Sequence, residues 1–244
     1  GYLSDINEAS IVMLAKIGIF EESITSRIAK GILQLAETID PLDPSGTGNY
    51  LDYEKRLEKL VGEDASLVHA GRSRQDIAST LSRMNLRDDL LNAHHALAQV
   101  RLDITCLAAS HQDTIIPAYT HGVQAQPTTF AHYLLAQSSA LGRILDRLHE
   151  AYGRLNQCPL GSAALSTSSF PIDRIMLANL LGFDSAIENA YDANHLAPVD
   201  SCLEFAAILS MTAVQISQFA QDLHAQYAAP LPWLTLAPGE LMGV

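Results

Sequence analysis

From Ile77 to Leu107 the chain runs without a proline or glycine, and its apolar residues, Ile77, Leu81, Met84, Leu90, Leu97, Val100 and Leu107 among them, recur at helical spacing. The stretch predicts one helix of about thirty residues, where globular helices average about twelve. A helix of that length cannot cover its apolar flank with one short neighbour. It belongs to a bundle or a coiled coil, and the rest of the chain must supply the partners.

The remaining pattern supplies them. Asp5 to Ile17 reads as a helix with Ser4 as N-cap and Gly18 as its stop, and Glu21 to Glu37 as a second helix whose acidic first turn suits the helix dipole. Asp40 to Asn49, DPLDPSGTGN, reads as an irregular loop. Tyr50 to Val61 forms a short helix closed by Gly62, with Glu54, Lys55, Arg56, Glu58 and Lys59 as a solvated face. Ile116 to Gly122 interrupts the pattern, and a helix resumes near Thr128 and runs to Leu155. Gln157 to Phe170 is a loop of small residues, Pro171 opens a short helix that Gly182 closes, and Ala193 to Pro198 is irregular. From Val199 to Leu223 follows a helix apolar on nearly every face, which a central bundle position requires, ended by Pro230, Pro232 and Pro238. No period-two alternation of useful length is present. The expected fold class is therefore all-α: a small N-terminal helical domain over residues 1–75, then a long-helix bundle over 76–244.

Composition narrows the partners. With 244 residues, 48% of them hydrophobic, the chain can bury a sizeable core. A net charge of −12 argues against nucleic acid and anionic membrane, which need clustered cations. A small-molecule substrate or another protein fits better. Cys106, Cys158 and Cys202 form no CxxC pair, which speaks against a disulfide framework or a zinc ribbon and for a reducing, cytoplasmic setting. No signal peptide is read at the N-terminus. Phe205 to Gln221 lacks charge, but Ser210, Thr212, Gln215, Ser217 and Gln218 interrupt it, so it reads as a bundle helix and not a membrane span.

Phosphate loops, dinucleotide fingerprints, nucleophile elbows and zincin motifs are absent from the sequence, and His94 and His95, one residue apart on a helix, point in different directions. No cofactor and no metal are expected. Two segments carry other chemistry. Gly71 to Asp76, GRSRQD, sets guanidinium and hydroxyl groups at the start of the long helix, where a carboxylate can bind; the same residues also suit a plain cap, with Ser73 capping and Asp76 favouring the first turn. Thr120 and His121 sit in the break between two long helices, where a loop can aim them into a pocket. A loop histidine can be structural or exposed, but imidazole also suits general acid–base work near neutrality.

At these residues the chain resembles the argininosuccinate lyases of the fumarase/aspartase superfamily. His69 with Gly71-Arg72-Ser73-Arg74-Gln75-Asp76 is similar to their H-x-G-R-S-R-N-D element. Tyr119-Thr120-His121, Ala125-Gln126-Pro127, Thr129-Phe130 and His132 to Leu135 are similar to a second element, and Pro159 to Ser162, Ala164-Leu165 and Phe170 to Arg174 to a third. The resemblance implies a homotetramer with a shared helical bundle and active sites built from several subunits. It implies reversible anti elimination of fumarate from an N-succinyl compound, with argininosuccinate, giving arginine, as the first candidate. Ser73, Arg74, Gln75 and Gln126 would bind substrate, and Thr120 and His121 would serve catalysis, His121 in proton transfer. The family's usual base lies on a G-S-S-x-M-P loop, absent here, and the chain is read as an incomplete piece of a longer protein.

The sequence departs from the family pattern at three places. Gln75 stands for asparagine, Gly122-Val123-Gln124 for L-Q-R, and Asp192 to Asp200 for D-A-x-S-x-R-D without its arginine. Two alternatives follow: a related lyase for another N-substituted aspartate or aminopolycarboxylate, and a catalytically silent structural homologue of the lens-crystallin kind.

Overall fold

The computed structural model describes residues 1–38 and 50–235, so the loop expected at Asp40 to Asn49 and the helix stop at Pro238 lie outside the described residues. In order the elements are helices α1 (Tyr2–Ile17), α2 (Glu22–Thr38) and α3 (Tyr50–Val61), a 3-10 segment (Gly62–His69), and helix α4 (Arg74–Ser110). Strands β1 (Ile115–Thr120) and β2 (Val123–Thr129) follow, then α5 (Phe130–Leu155), the two-residue strand β3 (Gln157–Cys158) and α6 (Arg174–Leu180). Strand β4 (Ser185–Ala186), α7 (Ala190–His195) and α8 (Ala197–Tyr227) complete the order. The all-α class holds. Helix α4 reaches 37 residues, longer than expected because Ser73 starts it and no breaker intervenes before Ser110.

Several boundaries differ from the sequence reading. Ser4 is a buried residue inside α1, not its cap. Asp173, not Pro171, caps α6, its carboxylate accepting the Met176 N–H at 2.8 Å. Ala193 to His195 are helical because Asn189 caps α7, accepting from the N–H groups of Tyr191 and Asp192 at 2.9 and 3.0 Å. The break at Ile116 to Gly122 is an antiparallel hairpin, β1 with β2, joined through His121 and Gly122.

Packing divides the chain into two units, residues 1–89 with 151–203 and residues 90–150 with 204–244. The domain boundary at 75/76 stays a proposal for the complete protein. In the first unit, Ile6, Met13 and Leu14 of α1, Ile28 and Ile32 of α2 and Leu57 of α3 build a core with Leu160 and Leu177. Two arginines one turn apart on α4 hold its far side. Arg83 is buried and donates to the backbone oxygens of Arg154 and Leu155, at 3.2 and 2.5 Å, satisfying carbonyls that the end of α5 leaves unpaired. Its second nitrogen reaches Ser201 Oγ at 3.2 Å. Arg87 donates to Asn156 Oδ1 and the Gly182 oxygen, both at 2.9 Å, and lies 4.1 Å above the Phe183 ring.

In the second unit, Leu97 and Ile104 of α4 are buried along with Leu134, Leu141, Ile144 and Leu148 of α5. Tyr133 donates to Asp222 at 2.9 Å, and Gln215 to Gln137 at 3.0 Å, tying α8 to α5. On α8 only Ile208 and Thr212 are buried, while Leu203, Val214 and Ile216 are exposed. By length and composition alone α8 also qualifies as a membrane span. A central bundle helix passes the same test.

Candidate active site

The GRSRQD segment folds as a helix start. Gly71 turns the chain at φ 72°, a left-handed conformation, and an added Cβ would lie 2.4 Å from the Ile172 side chain, so glycine is required on both counts. Ser73 is the N-cap of α4: its Oγ accepts the Gln75 N–H at 3.2 Å, while Asp76 Oδ1 accepts the Ser73 N–H at 2.8 Å, a capping box with aspartate in the third position. The capping reading is thus realised, and it sets the half-buried Ser73 hydroxyl and the exposed Arg74 side chain together at a helix N-terminus. Such an arrangement is chemically suited to an anion.

Asp76 does more than cap. It is fully buried, and its Oδ2 accepts the N–H groups of Gly161 and Ala163 at 2.9 and 3.0 Å. One carboxylate therefore joins two segments 85 residues apart in sequence, the helix start and the Pro159–Phe170 loop. Burial pushes its pKa up to about 6, against the three N–H donors and nearby Arg72, which pull it down. Near neutrality it is ionised and fully used as an acceptor.

Arg72 points inward. It is buried and donates to Ser10 Oγ at 2.9 Å, beside the stacked pair of Tyr50 and His69, whose Oη and Nδ1 are 3.0 Å apart. Burial, then the charges of Arg72 and Arg74, lower the His69 pKa and keep that ring neutral. His69 and Arg72 support the segment from inside.

Gln75 uses its side chain toward α7: Nε2 donates to the Asn194 backbone oxygen at 3.0 Å. Asn194 is itself buried and donates through Nδ2 to the oxygens of Ala163 and Ala164 at 2.7 and 3.3 Å. His195, whose ring lies 4.7 Å from that of Tyr191, meets the Ala164 oxygen at 3.2 Å. Two of the sequence departures, Gln75 and the Asp192–Asp200 segment, are therefore in direct contact.

Thr120 and His121 lie in the second unit, at the tip of the β1–β2 hairpin. Thr120 pairs with Val123, so His121 and Gly122 form a two-residue turn with φ of 51° and 76°, both positive as a type I′ turn demands. Both Thr120 and His121 are exposed at that tip. Gln126, beside a bulge that leaves Ala125 unpaired, lines a cavity of 870 Å³ together with Tyr119, Tyr133, Asp222 and Trp233. Thr120 and His121 do not line it. Hydrogen bonding to Asp222 and burial raise the Tyr133 pKa, burial contributing most, so this wall carries a neutral phenol.

Ser73, Arg74 and Gln75 are thus gathered at one helix start, and Thr120 and His121 at one turn, with Gln126 on the strand that follows. Asp76, Asn194 and Arg83 were missed as organising residues; only Asp76 lay inside a motif that signalled it. Among the described residues no group of three or more His, Cys, Asp or Glu side chains converges as a metal site.

A family model described as a lyase matches residues 7–236. The argininosuccinate lyase of Methanosarcina mazei is 38% identical over 220 residues, 89% of this chain and 44% of that protein. That of Synechococcus sp. (strain JA-3-3Ab) is 38% identical over 219 residues, 88% of this chain and 44% of its own. The crystal structure of EDDS lyase in complex with formate superposes with a TM-score of 0.87 at 36% identity, over 93% of this chain and 45% of that one. The chain spans less than half the length of these relatives.

Proposed function

This chain belongs to the lyase family, and from that premise we propose that the protein it forms part of is a carbon–nitrogen lyase releasing fumarate from an N-succinyl compound, argininosuccinate first among the candidates. The observation that supports the reading is the start of α4, where the Ser73 hydroxyl and the exposed Arg74 side chain meet at the helix N-terminus, an arrangement suited to a carboxylate. Elimination removes a weakly acidic proton next to a carboxylate, so charge accumulates on that carboxylate as the C–H bond breaks. Ser73, Arg74 and Gln75 hold the substrate carboxylates and stabilise this aci-carboxylate. Gln126 binds the substrate. Thr120 and His121 meet the succinyl part, and His121 moves a proton: a base takes the C–H proton, and a proton at the departing nitrogen keeps it from leaving as an anion. No step of this scheme uses a cofactor.

The assembly that fits is a homotetramer with sites shared between subunits. The exposed Leu203, Val214 and Ile216 of α8 favour it, because apolar side chains on a long helix call for a covering partner. A cytoplasmic setting accords with three free cysteines, Cys158 buried and its thiol pushed up to about 12 by that burial, hence inert.

The test is direct. Full-length protein mixed with argininosuccinate should release fumarate, followed by its ultraviolet absorbance. His121→Asn should leave assembly intact and lower turnover by about a hundredfold, the usual loss for an acid–base group. Turnover at the wild-type rate would remove His121 from the mechanism.

The likeness to EDDS lyase favours a second reading, a lyase for another N-substituted aspartate or aminopolycarboxylate. Fumarate incubated with a panel of amines separates the two: a product with other amines and no reaction with argininosuccinate keeps the class and changes the substrate.

A further inference from the structure

The hydrogen bonds around Gln75 close on themselves. The Gln75 backbone N–H reaches Ser73 Oγ, and the Ser73 N–H reaches Asp76 Oδ1. Asp76 Oδ2 takes the Ala163 N–H, the Ala163 oxygen takes Asn194 Nδ2, and the Asn194 oxygen takes Gln75 Nε2. Five residues from the start of α4, the Pro159–Phe170 loop and α7 thus form one circuit. Its members Asp76 and Asn194 are buried, so water does not compete for them. Gln75 is the exposed member, and its side chain is the link that joins α4 to α7. An amide has two N–H groups, so one can stay on Asn194 while the other meets an anion. Asparagine, one methylene shorter, would lack the reach for both.

We propose that Gln75 is a positioning residue for the carboxylate site: by holding the Asn194 carbonyl it fixes the helix start that carries Ser73 and Arg74 against the Pro159–Phe170 loop. The proposal rests on the lyase reading only in taking fumarate as the probe. Full-length wild-type protein, Gln75→Asn, Gln75→Met and Asn194→Ala are compared by fumarate titration calorimetry. Hydrogen exchange over residues 159–165 is measured with and without fumarate, and melting temperature controls for folding. Gln75→Met keeps the length and removes the donor. Asn194→Ala removes nothing from α4 and leaves Gln75 its backbone acceptor.

Both Gln75 variants should weaken fumarate binding about five- to tenfold, as expected for one lost hydrogen bond. They should also speed exchange over 159–165 several-fold without fumarate. Asn194→Ala should reproduce both effects, although its side chain is buried and lies off the helix start. Fumarate binding weakened in the Gln75 variants alone, with Asn194→Ala and the loop at wild-type values, would make Gln75 an ordinary ligand and overturn the proposal. Wild-type exchange in all variants would overturn it as well. If wild-type protein does not bind fumarate, the lyase reading fails, and the exchange comparison still decides the circuit: accelerated exchange supports it and unchanged exchange removes it.

Discussion

Asp76 shows how much chemistry one buried carboxylate can organise. Its pKa in the folded protein, about 6, lies above that of the unfolded chain, so its contribution to stability is fully present below about pH 4 and is lost as pH rises through 6. Burial raises the pKa, and the three N–H donors and Arg72 limit the rise to that value. Relative to Asp76→Asn, the wild type should lose about 2 kcal/mol of stability between pH 4 and 7, most of what a two-unit shift is worth. Chemical denaturation of both proteins across that range measures the slope; parallel curves would show that burial does not raise this group. In the sequence Asp76 was legible as a first-turn acid. Its partners at Gly161 and Ala163 were not, because a link across 85 residues leaves no local period or spacing to read. The same holds for Arg83, an arginine among charged neighbours whose carbonyl partners on Leu155 and Arg154 emerge only on folding.

Long helices are the most legible elements, since a period of 3.6 repeated over many turns needs no tertiary information. α2 and α3 match the sequence reading to within a residue at each end. The hairpin was missed for a physical reason: its strands carry Pro117 and Pro127 opposite each other and most of β2 is exposed, so no apolar alternation marks it. The turn signal was also masked, because histidine rather than asparagine precedes Gly122. This turn yields a prediction. Gly122 has open space around a Cβ but a φ of 76°, so Gly122→Ala meets only the backbone penalty, about 1 kcal/mol. If His121 acts through the turn that aims it, Gly122→Ala should lower turnover of the full-length enzyme with little change in melting temperature. Turnover at the wild-type level would mean that the turn geometry does not matter to His121. At Gly71, where φ is 72° and the Ile172 side chain blocks the Cβ as well, alanine should cost more stability than at Gly122, read as a larger fall in melting temperature.

At the scale of the whole molecule the question is what covers α8. Its sequence marks it as a helix for the centre of a bundle, yet Leu203 and Val214 are 64% and 59% exposed, an arrangement that one chain of this length does not resolve by itself. Such a face can be covered by further protein, the remainder of a longer chain or other copies, or by a lipid bilayer, and protein and lipid make different demands on polar groups. Gln215 donates to Gln137 at 3.0 Å, and Asp222 accepts from Tyr133, so α8 carries toward α5 polar pairs that include a carboxylate, a group that is costly in hydrocarbon. Covering by further protein is the reading these pairs support, and the proposed tetramer would supply it from other copies. A charge introduced into the covered face then has a definite consequence: an unpaired carboxylate buried at an interface costs several kcal/mol, and in a symmetric assembly it recurs in every subunit. If the proposed tetramer covers this face, Val214→Glu should convert the full-length protein to smaller species in sedimentation velocity while its helical circular dichroism persists. The proposed fumarate release should fall with it, because in the proposed assembly sites shared between subunits could not form in separated ones. A Val214→Glu protein that stays tetrameric would place that face outside the assembly. A wild type recovered only with membranes would favour the bilayer instead.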